Sequence, residues 1–454
     1  MAVFWILLGL VACAVTAVTL GLALFHLLRV RLHWMESVCL GYVAGAAILS
    51  LAVFGMAAMG IARKGVFLSL SFIALVALLY FRRTLAPRGQ VAGPPMAAAW
   101  KLLFVAGLLA YGTFYFRQAL APEMSPDAME YHLGLINQFN RAHGLVRFVD
   151  IYAGLPEGME MLFFYAFAIG RNSAGALIHF SFLVDLALLM ALYGKRFGFA
   201  SAGVVAALLV FASPLVGADG TSAYNDVGLA TVMFAAVYLL ALWRNEKSAG
   251  LLIACCTVTG FALGVKYTAI FFALFVVAVI AVGLRGQPWR KLLPALAVGT
   301  FALGISLTPY LVRNILWFDN PVVFFGNSVF RNPYFHISFE QDYVRNQAHL
   351  HGLEWKDMPL QLTMGGAKVE GCFGAAFLAA PLILAGVLWP PSRFLMLAAL
   401  ATGFAFPHDR SARFLIPALP LLAMVLTFVL RRMPGSRILL GALAVAHLVT
   451  CWPS

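Results

Sequence analysis

Fourteen mostly apolar runs divide the chain, near 4–28, 38–61, 65–81, 101–119, 174–193, 199–216, 226–243, 249–265, 268–284, 292–312, 371–390, 393–406, 413–430 and 437–452. An α-helix needs about 20 residues to cross the hydrocarbon core of a bilayer. Val, Ile and Phe are frequent, but run length favours helices over the weakly alternating ten-residue segments of a membrane β-barrel. The pattern predicts an all-α, polytopic integral membrane protein with about 14 transmembrane helices. A further stretch, 156–170 (PEGMEMLFFYAFAIG), is short for a span and opens on Pro156-Glu157-Gly158; we expect it at the outer interface or partly inserted. Residues 1–100 read as an N-terminal three-helix membrane segment with a Pro/Gly-rich cytoplasmic linker at 82–100. Residues 101–454 read as a transmembrane core with two long outer loops, 120–173 and 313–370. Long loops in compact proteins are usually functional or disordered. These carry His, Asn, charge and aromatics, and read as ordered and functional.

Composition agrees with lipid as the main solvent: 63% of the 454 residues are hydrophobic and only 11% charged. A soluble domain averages roughly 25% charged residues. The net charge of +13 is explained by topology better than by nucleic acid, which is not an expected partner. Of 31 Lys and Arg, 16 fall in short connections: Arg29/Arg31, Arg82/Arg83/Arg88, Lys195/Arg196, Arg244/Lys247, Arg285/Arg290/Lys291, Arg393 and Arg431/Arg432/Arg437. Alternation puts them all on one side, which the positive-inside rule makes cytoplasmic, with both termini outside, provided 156–170 does not cross. The first apolar run lacks a basic leader and is too long for a signal peptide, so none is expected. The six cysteines form no CxxC pair and sit mostly in apolar runs.

Chemistry is expected where charge appears on the outer side. In SPDAMEYHLGLINQFNRAHGL, Asp127, Glu130 and His132 follow a span directly, and Pro126 suits a helix start. A carboxylate there can take a proton from an acceptor hydroxyl or amine, or simply solvate a helix end. Asp219 and Asp226 lie in ADGTSAYNDVGLA, where Asp226 suits an N-cap or a site carboxylate. Lys266, in GFALGVKYTAIFF, must snorkel, pair or bind an anion. Arg313 and Asn314 end another span, and His408, Asp409, Arg410 and Arg413 share a short outer turn. Three outer arginines with Lys266 suit an anionic ligand or lipid headgroups. Asp185, with His179 on the same span, is an intramembrane carboxylate suited to function or to a helix contact. His336, His349 and His351, near Glu340, Asp342 and Glu354, fit no HExxH pattern, and no metal site is expected.

Several motifs recur in a fixed order. Asp127, Glu130 and Tyr131-His132-Leu133 come first, then Pro-x-Gly-Met-Glu-Met-Leu at 156–162. Next are Ser213-Pro214 with Ala223, Tyr224 and Asp226, then Gly260, Gly264 and Lys266-Tyr267-Thr268. Pro309 to Asn314 with Asn320-Pro321, and Arg413 to Pro420, complete the series. In this order and spacing, from about 100 to about 430, the chain resembles the polytopic glycosyltransferases of the GT-C fold. Its nearest likeness is to the branch of protein O-mannosyltransferases and lipid A aminoarabinose transferases. The resemblance implies inverting sugar transfer from a polyprenyl-phosphate-linked donor on the extracytoplasmic face of a bacterial inner membrane. Partners would be that donor, membrane lipids, and a glycan, lipid or protein acceptor; no cofactor is required. It implies Asp127 as general base, Asp226 as a second acidic position, and Lys266 and Arg413 near the donor phosphate. The family often has two adjacent acids where this chain has Asp127-Ala128, so Glu130 is the alternative base. Candidate substrate-binding residues are Tyr131, His132, Glu157, Tyr224, Asp226, Lys266, Tyr267, Arg313, Asn314, His408, Arg410 and Arg413. Competing classes are a transporter or flippase of lipid-linked sugars, which would show broken mid-membrane helices, and a ligase.

Overall fold

The computed structural model describes residues 1–454 apart from 83–94, 172, 287–288, 349–353, 408 and 454. The expectations for His349, His351, His408 and most of the 82–100 linker lie outside the described residues. Those described form helices and turns with no strand. In order, α1 (Ala2–Leu27), α2 (Trp34–Ala58) and α3 (Lys64–Tyr80) precede α4 (Ala98–Leu120). The first outer loop holds a π-helical turn (Ala128–His132), α5 (Leu133–Ala142) and α6 (Gly158–Gly170). Then come α7 (Ala174–Arg196), α8 (Ala200–Phe211), α9 (Pro214–Gly220), α10 (Asp226–Glu246), α11 (Ala249–Val265) and α12 (Ile270–Gly283). Next are α13 (Trp289–Ile305), α14 (Thr308–Phe318) and α15 (Ile337–Ala348). A 3-10 segment (Ala375–Leu388) leads to α16 (Pro390–Thr402), α17 (Leu419–Leu430) and α18 (Ser436–Thr450).

The protein is an integral membrane protein. Five described helices, α1, α2, α4, α7 and α10, are long and apolar enough to cross a bilayer alone, and up to seven spans result if two bent pairs each count as one. The expected count of 14 is therefore not reproduced by helix length; several runs form apolar helices of 10–17 residues. Two runs expected to be continuous are broken. The run 199–216 bends by 69° between α8 and α9, and 292–312 bends by 42° between α13 and α14. Each break comes just before a proline in the first turn of the next helix, Pro214 and Pro309. Proline has no N–H to continue a helix but fits its first turn.

Helix α10 is the centre of the bundle, buried along Asp226–Trp243. Small residues let α1 and α2 touch backbone to backbone; a Cβ on Gly45 would lie 1.7 Å from the Ala17 carbonyl oxygen. The three N-terminal helices pack on the core rather than apart from it. Helix α6 is buried along most of its length, with Gly170 against Trp5 and Ile6 and with the Ser50 hydroxyl donating to the Gly158 carbonyl at 2.7 Å. Within 156–170 this helix thus packs against other helices of the bundle rather than lying apart from them. At the opposite end of the bundle, Arg196 pairs with Glu36 and Glu246.

Candidate functional site

The broken α8–α9 unit turns a short helix beneath the outer loops and brings three helix ends together. Asp219 lies near the end of α9, Asp226 opens α10, and Lys266 follows the last residue of α11. A carboxylate is favoured at the start of a helix and a cation at its end. Asp226 does not cap its own helix. Asp219 does so from outside, its Oδ1 accepting from the Val227 N–H at 2.9 Å. Both Asp226 oxygens are thereby left to bind cations: Lys266 Nζ donates to Oδ1 at 2.6 Å, and Arg413 donates to Oδ2 through Nε and Nη2 at 3.2 and 3.1 Å.

Arg413 sits in a 3-10 turn, Ala412–Leu415, whose Ser411 hydroxyl accepts from the Arg413 N–H. Its remaining fork nitrogen, Nη1, donates to Asp127 Oδ2 at 2.6 Å, and Asp219 Oδ2 is 3.8 Å from Nε. Burial opposes the guanidinium charge, but Asp226, Asp219 and Asp127 outweigh it and push the Arg413 pKa up. Arg413 also stacks over Tyr224 at 4.3 Å, and Lys266 over Phe414 at 4.4 Å.

This cluster borders a cavity of about 760 Å³, inside the roughly 300–1,000 Å³ typical of ligand sites. Asp127, Tyr131, Glu157, Tyr224, Lys266, Tyr267 and Arg413, all singled out from sequence, line it, and Asp226 lies buried beside it. Other predicted residues are placed elsewhere. Glu130 is exposed and is not part of the lining. His132 is wholly buried, its Nδ1 bonded to Glu160 Oε1 at 2.6 Å, and is not part of the lining. Arg410 stacks on Trp355 at 4.9 Å, away from the lining. Asp185 is buried within α7 and takes no part in the lining.

Arg313 and Asn314 are corrected most sharply. Both are buried, outside the lining, and direct their donors at neighbouring protein groups. Arg313 Nη1 is 2.9 Å from Glu157 Oε2, and its Nη2 donates to the Leu155 carbonyl at 2.9 Å. Asn314 donates to the Gly154 carbonyl at 2.7 Å and to the Tyr267 hydroxyl at 3.2 Å. Together they anchor the loop that carries Glu157 into the cavity wall. Burial pushes the Glu157 carboxyl up to about 7, against the lowering pull of Arg313. A raised carboxyl contributes stability that is present below its unfolded value and is lost as pH rises through the folded one. Arg313→Leu is therefore expected to cost about 3–5 kcal/mol at alkaline pH, the penalty for stranding a buried charge. The deficit should shrink below the usual carboxyl value of 4.5, where Glu157 is neutral in both states. Unfolding in detergent at the two pH values checks this, and equal deficits would count against Glu157 as the partner that matters.

Sequence reading missed several lining residues. Glu160 stood in a quoted stretch but was not selected, Asp409 was named in its outer turn without a site role, and Asp219 was read only as Asp226's neighbour. Tyr152, Phe324, Phe325 and Tyr343 carried no signal. Tyr152 stacks on Tyr131 with ring centres 4.1 Å apart. Glu340 holds the turn after Phe325, accepting from the Gly326 and Asn327 N–H groups at 2.8 and 2.9 Å.

Residues 161–311 match the family model described as dolichyl-phosphate-mannose-protein mannosyltransferase. That segment carries Asp219, Asp226 and Lys266, while Asp127 and Arg413 lie on either side. Among solved structures, ArnT from Cupriavidus metallidurans bound to undecaprenyl phosphate superposes with a TM-score of 0.54 at 18% identity, covering 77% of this chain and 64% of that one. This chain has the GT-C fold. The apo form of the same ArnT gives 0.53 and 18% over 77% of this chain and 62% of that one, so the chain spans a little under two thirds of ArnT's length. No curated protein sequence matches the chain. In this GT-C fold the acidic motif of the first outer loop and the arginine before α17 meet in a direct ion pair at the cavity wall.

Proposed function

We propose that the protein is an inverting glycosyltransferase, moving a hexosyl or pentosyl group from a polyprenyl-phosphate carrier to a glycan, lipid or protein acceptor. The reaction would take place at the extracytoplasmic face of a bacterial inner membrane. The observation that carries this reading is the convergence of Asp127, Lys266 and Arg413 on one cavity. The leaving group is a phosphate that departs as an anion, so it needs electrostatic stabilisation and no proton donor. Lys266 and Arg413 supply that charge. Asp226 lies under both cations and holds them at the cavity wall. Asp127 is the lining carboxylate we assign to orient the acceptor and take its proton as the acceptor oxygen bonds to the anomeric carbon and the bond from that carbon to the phosphate oxygen breaks, with inversion at the carbon. Asp127 is tied to Arg413 by an ion pair. A donor phosphate competes for that guanidinium, so donor binding frees the base.

Lys266→Gln is expected to weaken binding of a polyprenyl-phosphate donor tenfold or more, since a hydrogen bond to a charged group contributes about 1.5–3 kcal/mol. Titration of the lipid donor without acceptor reads this directly. Unchanged affinity in both Lys266→Gln and Arg413→Gln would contradict the phosphate site. The bent pairs α8–α9 and α13–α14 are a feature that favours a transporter or flippase. In reconstituted vesicles such a protein would move donor between leaflets without forming a glycosylated acceptor.

A further inference from the structure

A second cavity, of about 1000 Å³, opens at the other end of the bundle, between the starts of α4, α8 and α18 and the end of α17. Among the described residues its charged lining consists of Arg431, Arg432 and Arg437, with no Asp or Glu. Among the described residues, none of the three has a carboxylate within ion-pair distance. Arg196, at the same end, contrasts with them in holding two glutamates. Burial and the neighbouring Arg432 both push the Arg431 pKa down, a repulsion that a bound anion would relieve. Arg432 is set against the faces of Trp389 and Phe428, at 5.9 and 5.0 Å. Trp100 at the start of α4 adds the aromatic group typical of a bilayer interface.

The cavity continues into apolar surface. On α4, Leu102, Val105 and Leu109 are exposed at spacings of three and four, and on α18, Ile438, Val445 and Val449 are exposed on a single face. The two helices are joined by a hydrogen bond from the Tyr111 hydroxyl to the Leu448 carbonyl at 2.7 Å, so they lie side by side. A cationic cavity beside two helices with exposed apolar side chains matches an amphipathic anion rather than a soluble one. We infer that this cavity binds the phosphate headgroup of an anionic phospholipid of the leaflet facing the basic end, with the acyl chains along α4 and α18. The inference does not depend on sugar transfer, because the three arginines lie at the opposite end of the bundle from Asp127 and Arg413.

The test uses the purified full-length protein in detergent, with thermal unfolding followed in the presence of phosphatidylglycerol, phosphatidylcholine or inorganic phosphate. Phosphatidylglycerol is expected to raise the midpoint by several degrees, and the other two to leave it near its starting value. The difference between the lipids should vanish in Arg431→Gln/Arg432→Gln/Arg437→Gln. Native mass spectrometry of that variant should show loss of co-purified phosphatidylglycerol. Arg437→Gln alone, at an exposed position, should fold normally and reduce the response, which keeps the proposal testable if the triple variant fails to fold. An undiminished phosphatidylglycerol response in Arg437→Gln and in the triple variant would overturn the site. An equal response to inorganic phosphate would overturn the assignment to a lipid.

Discussion

Asp127→Asn is expected to lower sugar transfer by about 10²–10⁴-fold, the contribution typical of a positioned general base. The substitution keeps the shape of the side chain and an oxygen able to accept from Arg413. Asp127 is one-third exposed at the cavity edge, so the fold should survive and the unfolding midpoint should move little. The donor should bind at least as tightly as before, because removing the Asp127 charge releases Arg413 to the phosphate. The expected signature is a fall in kcat without a rise in the donor dissociation constant. Glu130→Gln is the matched comparison. Its carboxylate is exposed and outside the lining, so transfer should be unchanged. Full activity in Asp127→Asn would remove Asp127 as base, and a large loss in Glu130→Gln would transfer that role.

The long apolar runs were legible because hydropathy and length together leave a helix few alternatives in lipid. Thus α1, α2, α4, α7 and α10 lie where those runs predict them. What failed was local: Pro214 and Pro309 break runs that an averaged hydropathy cannot see as broken. Site charges were legible for a related reason. A charge next to an apolar run is costly, and Asp127, Asp226, Lys266 and Arg413 each stood out on that ground. Their pairing was not legible, since Asp127 and Arg413 are 286 positions apart and no local pattern connects them. The same argument misplaced Arg313. Its charge is costly, but the cost is met by Glu157 from another loop rather than by a ligand. Of the two roles left open for Asp226, capping falls to Asp219 instead, which sequence could not show because the donor and acceptor are eight residues apart across a turn. Aromatic lining residues such as Tyr152 and Phe324 remained silent, since an outer-loop ring looks the same in sequence whether it faces a cavity or a neighbour.

Arg413→Gln is expected to have the largest combined effect on stability and donor binding. The guanidinium is four-fifths buried and faces three carboxylates. Removing it leaves Lys266 as the one cation the cluster retains among the described residues, and stranding buried charge of this kind costs about 3–5 kcal/mol. Donor binding should fall at the same time, which by itself would not separate a phosphate contact from a structural tie. Two further variants separate them. Arg413→Lys keeps the charge but cannot span Asp127 and Asp226 at once, because an ammonium lacks the planar fork that makes both contacts. It should regain part of the stability and less of the donor affinity. Arg413→Gln/Asp226→Asn removes one stranded carboxylate with the arginine and should recover stability relative to Arg413→Gln. If Arg413 holds the donor phosphate, the double variant stays defective in donor binding despite its improved fold. If donor affinity recovers in step with the unfolding midpoint, Arg413 acts only by organising the carboxylates, and Lys266 would be left as the principal phosphate contact.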